Sequence, residues 1–97
     1  MLFTVNKPSL TSNSLDSALR IAPQGTPFLL YEDGVFIAKT GAKDSWKIEN
    51  TIKDHPFYAL DVDLEARGIV DLIEGIEIIS YDGFIELIET HEVIPWL

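Results

Sequence analysis

Cysteine is absent from the 97 residues of this sequence. A chain without cysteine forms no disulfide, offers no thiolate to a metal and carries no persulfide of its own. We therefore expect a protein of a reducing compartment, the cytoplasm. No apolar run reaches the ~20 residues of a membrane helix, and the first residues lack the basic-then-apolar pattern of a secretory signal. We accordingly expect neither a membrane span nor a signal peptide.

Basic residues are also scarce, with 7 Lys and Arg against 16 Asp and Glu and a formal net charge of −9. Nucleic-acid affinity comes largely from neutralising phosphates with Lys and Arg, so we do not expect direct binding of RNA or DNA. Hydrophobic residues make up 46% of the chain, which is enough for a folded core. The length indicates one domain over 1–97.

Strand and helix patterns alternate along the chain. The predicted strands cover 2–5, 27–31, 57–60, 76–80 and 93–97, and the predicted helices cover 13–22, 35–40, 45–53, 61–67 and 82–90. The nearly continuous apolar runs of 27–31 and 76–80 are typical of strands buried on both faces. Pro95 restricts the last strand to an edge, because proline has no N–H to donate. This alternation predicts an α/β fold with a mostly parallel sheet between layers of helices.

Patterns that carry chemistry are weak in this sequence. Acidic residues alternate in DVDLE, 61–65, but Ala66 and Leu72 stand where a calcium loop needs Gly and Glu. We favour solvated acids at the start of a helix over a metal or phosphorylation site. His55 and His91 have no visible Ser or Asp companion, and the glycines form no phosphate-binding pattern. We therefore predict no catalytic, metal or cofactor-binding residue.

Two tryptophans and one short apolar segment are better candidates for contact with another protein. Trp46 and Trp96 are either partly buried in the core or anchors of an interface, where Trp is enriched. A domain of this size is expected to leave some of Val35, Phe36 and Ile37 uncovered, and such surface marks interfaces. These five residues are the candidate interface.

Six segments in order resemble the DsrH/TusB family: MLFTVNKPSL, NSLDSAL, LLYEDGVFIA, YALDVDLEARGI, IISYDGFIELI and IPWL. The resemblance implies a three-layer α/β/α domain with a five-stranded sheet in the order 4-3-2-1-5. It also implies a cytoplasmic subunit that assembles with TusC-like and TusD-like relatives. That complex relays persulfide sulfur toward 2-thiolation of the tRNA wobble uridine. In sulfur-oxidising bacteria the equivalent partners are DsrE-like and DsrF-like.

The resemblance also bears on the first predicted helix. DsrH-like members carry a cysteine there, and the matching residue in this sequence is Ala18, whereas TusB-like members do without the cysteine. Ala18 lies on the apolar stripe of the helix, and alanine is the best helix former. The substitution favours a subunit of the tRNA-thiolation branch without a catalytic cysteine. As an obligate subunit, the chain is expected to aggregate or self-associate when its partners are absent.

Other functions stay open. The chain is alternatively a DsrH-like subunit of a sulfur-oxidation complex. It is otherwise a stand-alone module that binds a small ligand at the strand ends near Asn6, Asp33 and Asp61, where α/β proteins commonly bind ligands. A small hydrolase is disfavoured, because the sequence has no nucleophile–base pattern.

Overall fold

A computed structural model of the protein describes residues 1–7, 20–41 and 45–95. Five short strands in these ranges form one sheet: β1 Leu2–Val5, β2 Phe28–Leu30, β3 Phe57–Leu60, β4 Glu77–Ile79 and β5 Val93–Pro95. Their order is β4-β3-β2-β1-β5, and every neighbouring pair is parallel. The parallel sheet and the strand order that the family resemblance implies are confirmed.

Four helical segments connect the described strands: a 3-10 helix Glu32–Ala38, then α1 Ser45–Thr51, α2 Asp61–Ala66 and α3 Tyr81–Thr90. The 3-10 helix begins three residues before the predicted helix over 35–40. Of the predicted helix over 13–22, only the end is described, and Arg20 and Ile21 there are helical. Within the described ranges no helix has the length and apolar content that crossing a membrane requires.

The main core lies between one face of the sheet and the helices that follow β2 and β3. Because side chains alternate along a strand, Phe3, Phe28 and Phe57 point to this face from three neighbouring strands. The Phe28 ring lies edge-on to Phe3, with centroids 5.2 Å apart, and is stacked on Phe57 at 5.0 Å. The helices contribute Val35, Ile37, Ala38, Ile48 and Leu64.

The opposite face of the central strands is also covered. Leu2 on β1 and Leu29 on β2 are fully buried, and Leu60 on β3 is 6% exposed. Burial on both faces explains why the run over 27–31 is apolar at successive positions. The prediction that this segment is a buried strand is confirmed.

The strand predicted over 76–80 is shorter and less buried than its sequence indicates. It is the edge strand β4, paired only with β3 among the described strands. Ile79 packs toward the first turn of α3, but Glu77 is exposed and Ile78 is 55% exposed. The expectation of burial on both faces is therefore wrong here, because the helices that cover the sheet leave the Ile78 side of its edge open.

The other edge of the sheet is β5. It lies beside β1, with Ile94 opposite Phe3 and Pro95 opposite Thr4, and the Leu2 N–H donates to the carbonyl of Glu92 at 2.7 Å. Proline has no N–H, and at an edge this costs no hydrogen bond, because among the described strands β5 has no second neighbour to accept one. The predicted edge position of the tail is confirmed.

Candidate interaction surface

The acidic residues at the carboxyl end of the sheet are tied into the fold. The 3-10 helix begins with Glu32, whose φ of +49° lies in the left-handed region. The Glu32 N–H donates to Asp63 Oδ2 at 2.7 Å, which holds this turn against α2. Arg67 Nε donates to Asp33 Oδ1 at 2.9 Å, and Arg67 Nη1 lies 3.5 Å from Asp63 Oδ1. These contacts clamp the start of the 3-10 helix to α2.

The DVDLE segment forms the beginning of α2, as predicted. Asp61 and Asp63 lie in its first turn, where negative charge favours the helix dipole. Asp61 Oδ1 accepts the N–H of Val62 at 2.7 Å. Nowhere in 1–7, 20–41 or 45–95 do three His, Asp or Glu side chains come together as metal ligands would.

Asn6 is the one residue of the predicted ligand-binding set whose polar group is unengaged. It follows β1, and its Oδ1 is buried without a hydrogen-bond partner in the described part of the chain. Asp33 and Asp61, the other members of that set, are engaged in the contacts given above. Two of the three residues are therefore held in structural contacts, and ligand binding by the set stays a prediction.

Both histidines have structural partners. His55 is 6% exposed, its Nδ1 donates to the carbonyl of Thr26 at 3.0 Å, and its ring lies edge-on to Phe28. His91 follows the last residue of α3, and its Nδ1 lies 3.0 Å from the carbonyl of Leu87, one of the carbonyls left free at a helix end. The predicted position of His91 at a helix C-terminus is confirmed.

The predicted interface residues of the 3-10 helix do not share one environment. Val35 is fully buried and Ile37 is 5% exposed, whereas Phe36 is 38% exposed. Some of the three were expected to stay uncovered, and Phe36 is the one that does, whereas Val35 and Ile37 are not surface residues because both side chains pack in the main core. Phe36 alone of the three remains a candidate for contact with a partner.

Trp46 is the most prominent aromatic residue of α1. Its side chain is 58% exposed, whereas Ile48, two residues later, is fully buried. A side chain exposed to this extent agrees with partial burial as well as with contact to a partner, so the interface role of Trp46 stays a prediction. Trp96 and Ala18 lie outside the described residues, so the predictions for these two positions stay predictions.

A groove beside α1 went unnoticed in the sequence. Its volume is about 520 Å³, and it is lined by Thr40, Glu49, Ile52, Leu72, Ile73 and Glu74. The lining comes from three segments that backbone hydrogen bonds and packing bring together. Because their separation along the chain follows no helical or strand period, periodicity has no signal for the groove. A glycine turn at 74–75 is the only local sign in the sequence.

The geometry above defines a class of protein: a small α/β domain with a sheet of five parallel strands and helices that carry exposed apolar side chains. Two solved structures have a similar fold. The protein MTH1491 of Methanobacterium thermoautotrophicum matches with a TM-score of 0.73 and 21% identity, covering 97% of this chain and 96% of that one. Tm0979 of Thermotoga maritima matches with a TM-score of 0.63 and 24% identity, covering 95% of each chain.

Sequence comparison identifies the family. A family model described as DsrH like protein matches residues 7–94. Protein TusB of Serratia proteamaculans is 36% identical over 92 residues, which is 94% of either chain. Protein TusB of Escherichia coli K12 is 35% identical over 95 residues, again 94% of each. The chain belongs to the DsrH family, and the family resemblance seen in the sequence is confirmed.

Proposed function

We propose that this chain is a non-catalytic subunit of a cytoplasmic sulfur-relay complex that supports 2-thiolation of the tRNA wobble uridine. Its partners in the proposal are TusC-like and TusD-like subunits. The proposal is supported by membership of the DsrH family and by relatives named Protein TusB at about 35% identity.

The single observation that carries the proposed division of labour is the absence of cysteine. A persulfide forms on a thiolate and passes to another thiolate, so the sulfur has to reside on a different polypeptide. What remains for this chain is to hold the reactive cysteine of a partner where donor and acceptor proteins dock. Alignment of reacting groups alone changes rates by several orders of magnitude.

Exposed apolar side chains support a role in assembly. They include Phe36, Trp46, Val62, Val70, Ile78 and Tyr81. Single exposed apolar residues are ordinary, but large aromatic ones at a surface are typical of the residues that anchor an interface. Phe36 and Trp46 are the members of this set that the sequence also proposes as partner contacts.

A stand-alone ligand-binding module is a weaker alternative. Of its three predicted residues, Asp33 is paired with Arg67 and Asp61 accepts a backbone N–H of its own helix. Asn6 alone keeps an unsatisfied acceptor among the described residues. One acceptor does not specify a ligand, whereas family membership covers nearly the whole chain.

The proposal is tested by removing the chain and following the sulfur. Deleting its gene is expected to lower wobble 2-thiouridine in tRNA, measured by mass spectrometry of digested tRNA, and re-expression is expected to restore it. In vitro, labelled sulfur should pass through the TusC-like and TusD-like partners more slowly when this chain is omitted. Unchanged transfer together with unchanged assembly of the partners would refute the proposal.

The Ala18→Cys variant is the matched control for the absent thiol. If the position serves packing, the variant restores 2-thiouridine no better than the original chain. A clear gain in thiolation would mean that a thiol at this position enters the relay. Loss of sulfur oxidation on deletion, with thiolation intact, would instead favour the sulfur-oxidation alternative.

A further inference from the structure

The groove beside α1 combines an apolar floor with two carboxylates. Ile52, Leu72 and Ile73 supply the apolar part, and Glu49 and Glu74 supply the charge. Both glutamates are exposed, and neither forms an ion pair within the described ranges. Lys53, one turn after Glu49, is also exposed and does not pair with it there.

The shape of the groove is fixed by backbone contacts. The Ile73 N–H donates to the carbonyl of Ala38 and the Thr40 N–H to that of Asp71, each at 2.9 Å. These bonds join the end of the 3-10 helix to 71–73 as a short antiparallel bridge. The groove is therefore preformed in the folded chain.

A close contact also fixes the position of the turn that carries Glu74. Gly75 has a φ of +101°, and a Cβ placed on it would lie 2.9 Å from Ile52 Cδ1. The backbone of the turn therefore lies directly on the Ile52 side chain, which follows the last residue of α1. This contact brings the Glu74 segment to the same wall as Glu49 and Ile52.

An exposed aromatic residue is a helix neighbour of the groove residue Glu49. Trp46 precedes Glu49 by three residues, so both lie on one face of α1, and Trp46 is 58% exposed. A tryptophan ring attracts a cationic side chain through its π face, and a carboxylate attracts the same charge. Long basic side chains carry an apolar stem that packs on floors of this kind.

We propose that this groove is a docking site for a basic side chain, lysine or arginine, on a partner protein chain. The stem lies on Ile52, Leu72 and Ile73, and the charged end reaches Glu49 and Glu74 with Trp46 alongside. Charge complementarity selects this occupant: the chain has a net charge of −9, which also steers a basic partner toward it. The identity of the partner as a relay subunit rests on the proposed function, whereas the chemistry of the groove does not.

The first experiment measures assembly. The chain is co-expressed with its TusC-like and TusD-like partners, and affinity is measured by titration at low and high salt. The Glu49→Gln, Glu74→Gln double variant is expected to bind at least tenfold more weakly and to lose much of its salt dependence. The matched control is Glu86→Gln, Glu89→Gln, which makes the same charge change at exposed positions of α3. Equal affinity of the two double variants would overturn the docking site in this complex.

The second experiment tests the groove without any partner. Butylguanidinium, an alkyl guanidinium that resembles the arginine side chain, is titrated into the chain while the methyl signals of Ile52, Leu72 and Ile73 are followed by NMR. We expect saturable shifts at these methyls that the Glu49→Gln, Glu74→Gln variant abolishes and that neutral butanol does not produce. Equal shifts with butanol, or shifts retained in the variant, would refute recognition of a basic group.

The two experiments separate this inference from the proposed function. If the original chain does not assemble with its relatives but binds butylguanidinium as described, the proposed function fails and the basic-group site stands. If assembly occurs but the groove variant behaves like the α3 control and shows no selective shifts, the docking site fails and the proposed function stands.

Discussion

At the scale of single residues, Gly34 shows most directly how a backbone approach restricts the sequence. It lies in the 3-10 helix where that helix meets the end of β1. A Cβ placed on Gly34 would lie 2.0 Å from the carbonyl oxygen of Val5. That oxygen already accepts the N–H of Tyr31, the residue after β2, at 3.1 Å. Moving the 3-10 helix away from β1 to make room for a Cβ would therefore break this hydrogen bond between the ends of β1 and β2.

Gly34→Ala is expected to lower the free energy of unfolding by about 3 kcal/mol or more, at the upper end for overpacking. Urea denaturation followed by circular dichroism measures this change. Gly83→Ala in α3 is the control: its Cβ would meet Ile79 at an ordinary 3.4 Å, so stability should stay unchanged or rise by up to about 1 kcal/mol. Similar stability of the two variants would contradict the close contact at Gly34.

The histidines illustrate how little a residue type says about chemistry. His55 precedes a proline in a loop, a position from which sequence alone indicates nothing definite. Tertiary contacts with the Thr26 carbonyl and the Phe28 ring make it part of the packing at the start of β2. Buried polar groups need such partners, since an unsatisfied one costs stability.

At the scale of elements, α3 depends on its N-terminal cap. Ser80 precedes the helix, and its Oγ accepts the N–H of Gly83 at 3.3 Å. This bond satisfies one of the N–H groups that the first turn of a helix leaves free. The cap also fixes where the helix begins after the edge strand β4.

Ser80→Ala is expected to cost about 1 kcal/mol of stability, a fall in the melting temperature of about 4–8 °C for a domain of this size. Differential scanning calorimetry measures the shift. Ser80→Asp keeps an acceptor and adds charge that the helix dipole favours, so its melting temperature should remain near that of the original chain. An equal fall in both variants would argue against a capping role.

At the scale of the whole molecule, α1 contributes one large apolar side chain to the core and carries another that is largely exposed. Ile48 is fully buried and Trp46 is 58% exposed on the same helix. We expect substitutions of the two residues to separate the stability of the fold from contact with partners. The comparison is direct, because both are large apolar side chains two positions apart.

Trp46→Ala is expected to change stability by less than about 1 kcal/mol while weakening the complex with TusC-like and TusD-like subunits by about 2 kcal/mol, as for a typical interface anchor. Ile48→Ala is expected to lower stability by about 2–5 kcal/mol through the cavity it creates. Thermal melts of the isolated chain and binding titrations give the two quantities. A Trp46→Ala variant that melts as early as Ile48→Ala and binds normally would contradict an interface role.

The sequence by itself determined the order and type of most elements. The 3.6-residue period of a helix and the two-residue period of a strand follow from local backbone geometry. A strand at Leu2–Val5 or a helix at Asp82 to Thr90 can therefore be predicted without tertiary information. Pro95 likewise predicts an edge strand from the sequence alone, because proline lacks the N–H whatever the fold. The absence of cysteine excludes sulfur carriage on this chain, whatever its fold.

Tertiary structure alone decided which apolar residues are covered. Ile78 and Val35 belong to similar apolar runs, yet Ile78 lies on an open sheet edge and Val35 in the core. The groove is a further case, since Glu49 and Glu74 line it only after a bridge at Lys39 and Leu72 and a close contact between Gly75 and Ile52 have joined distant segments. Which side chains are buried, and which line a common groove, depends on the segments that the folded chain brings together. A local sequence pattern contains no information about contacts between segments that are far apart in the chain.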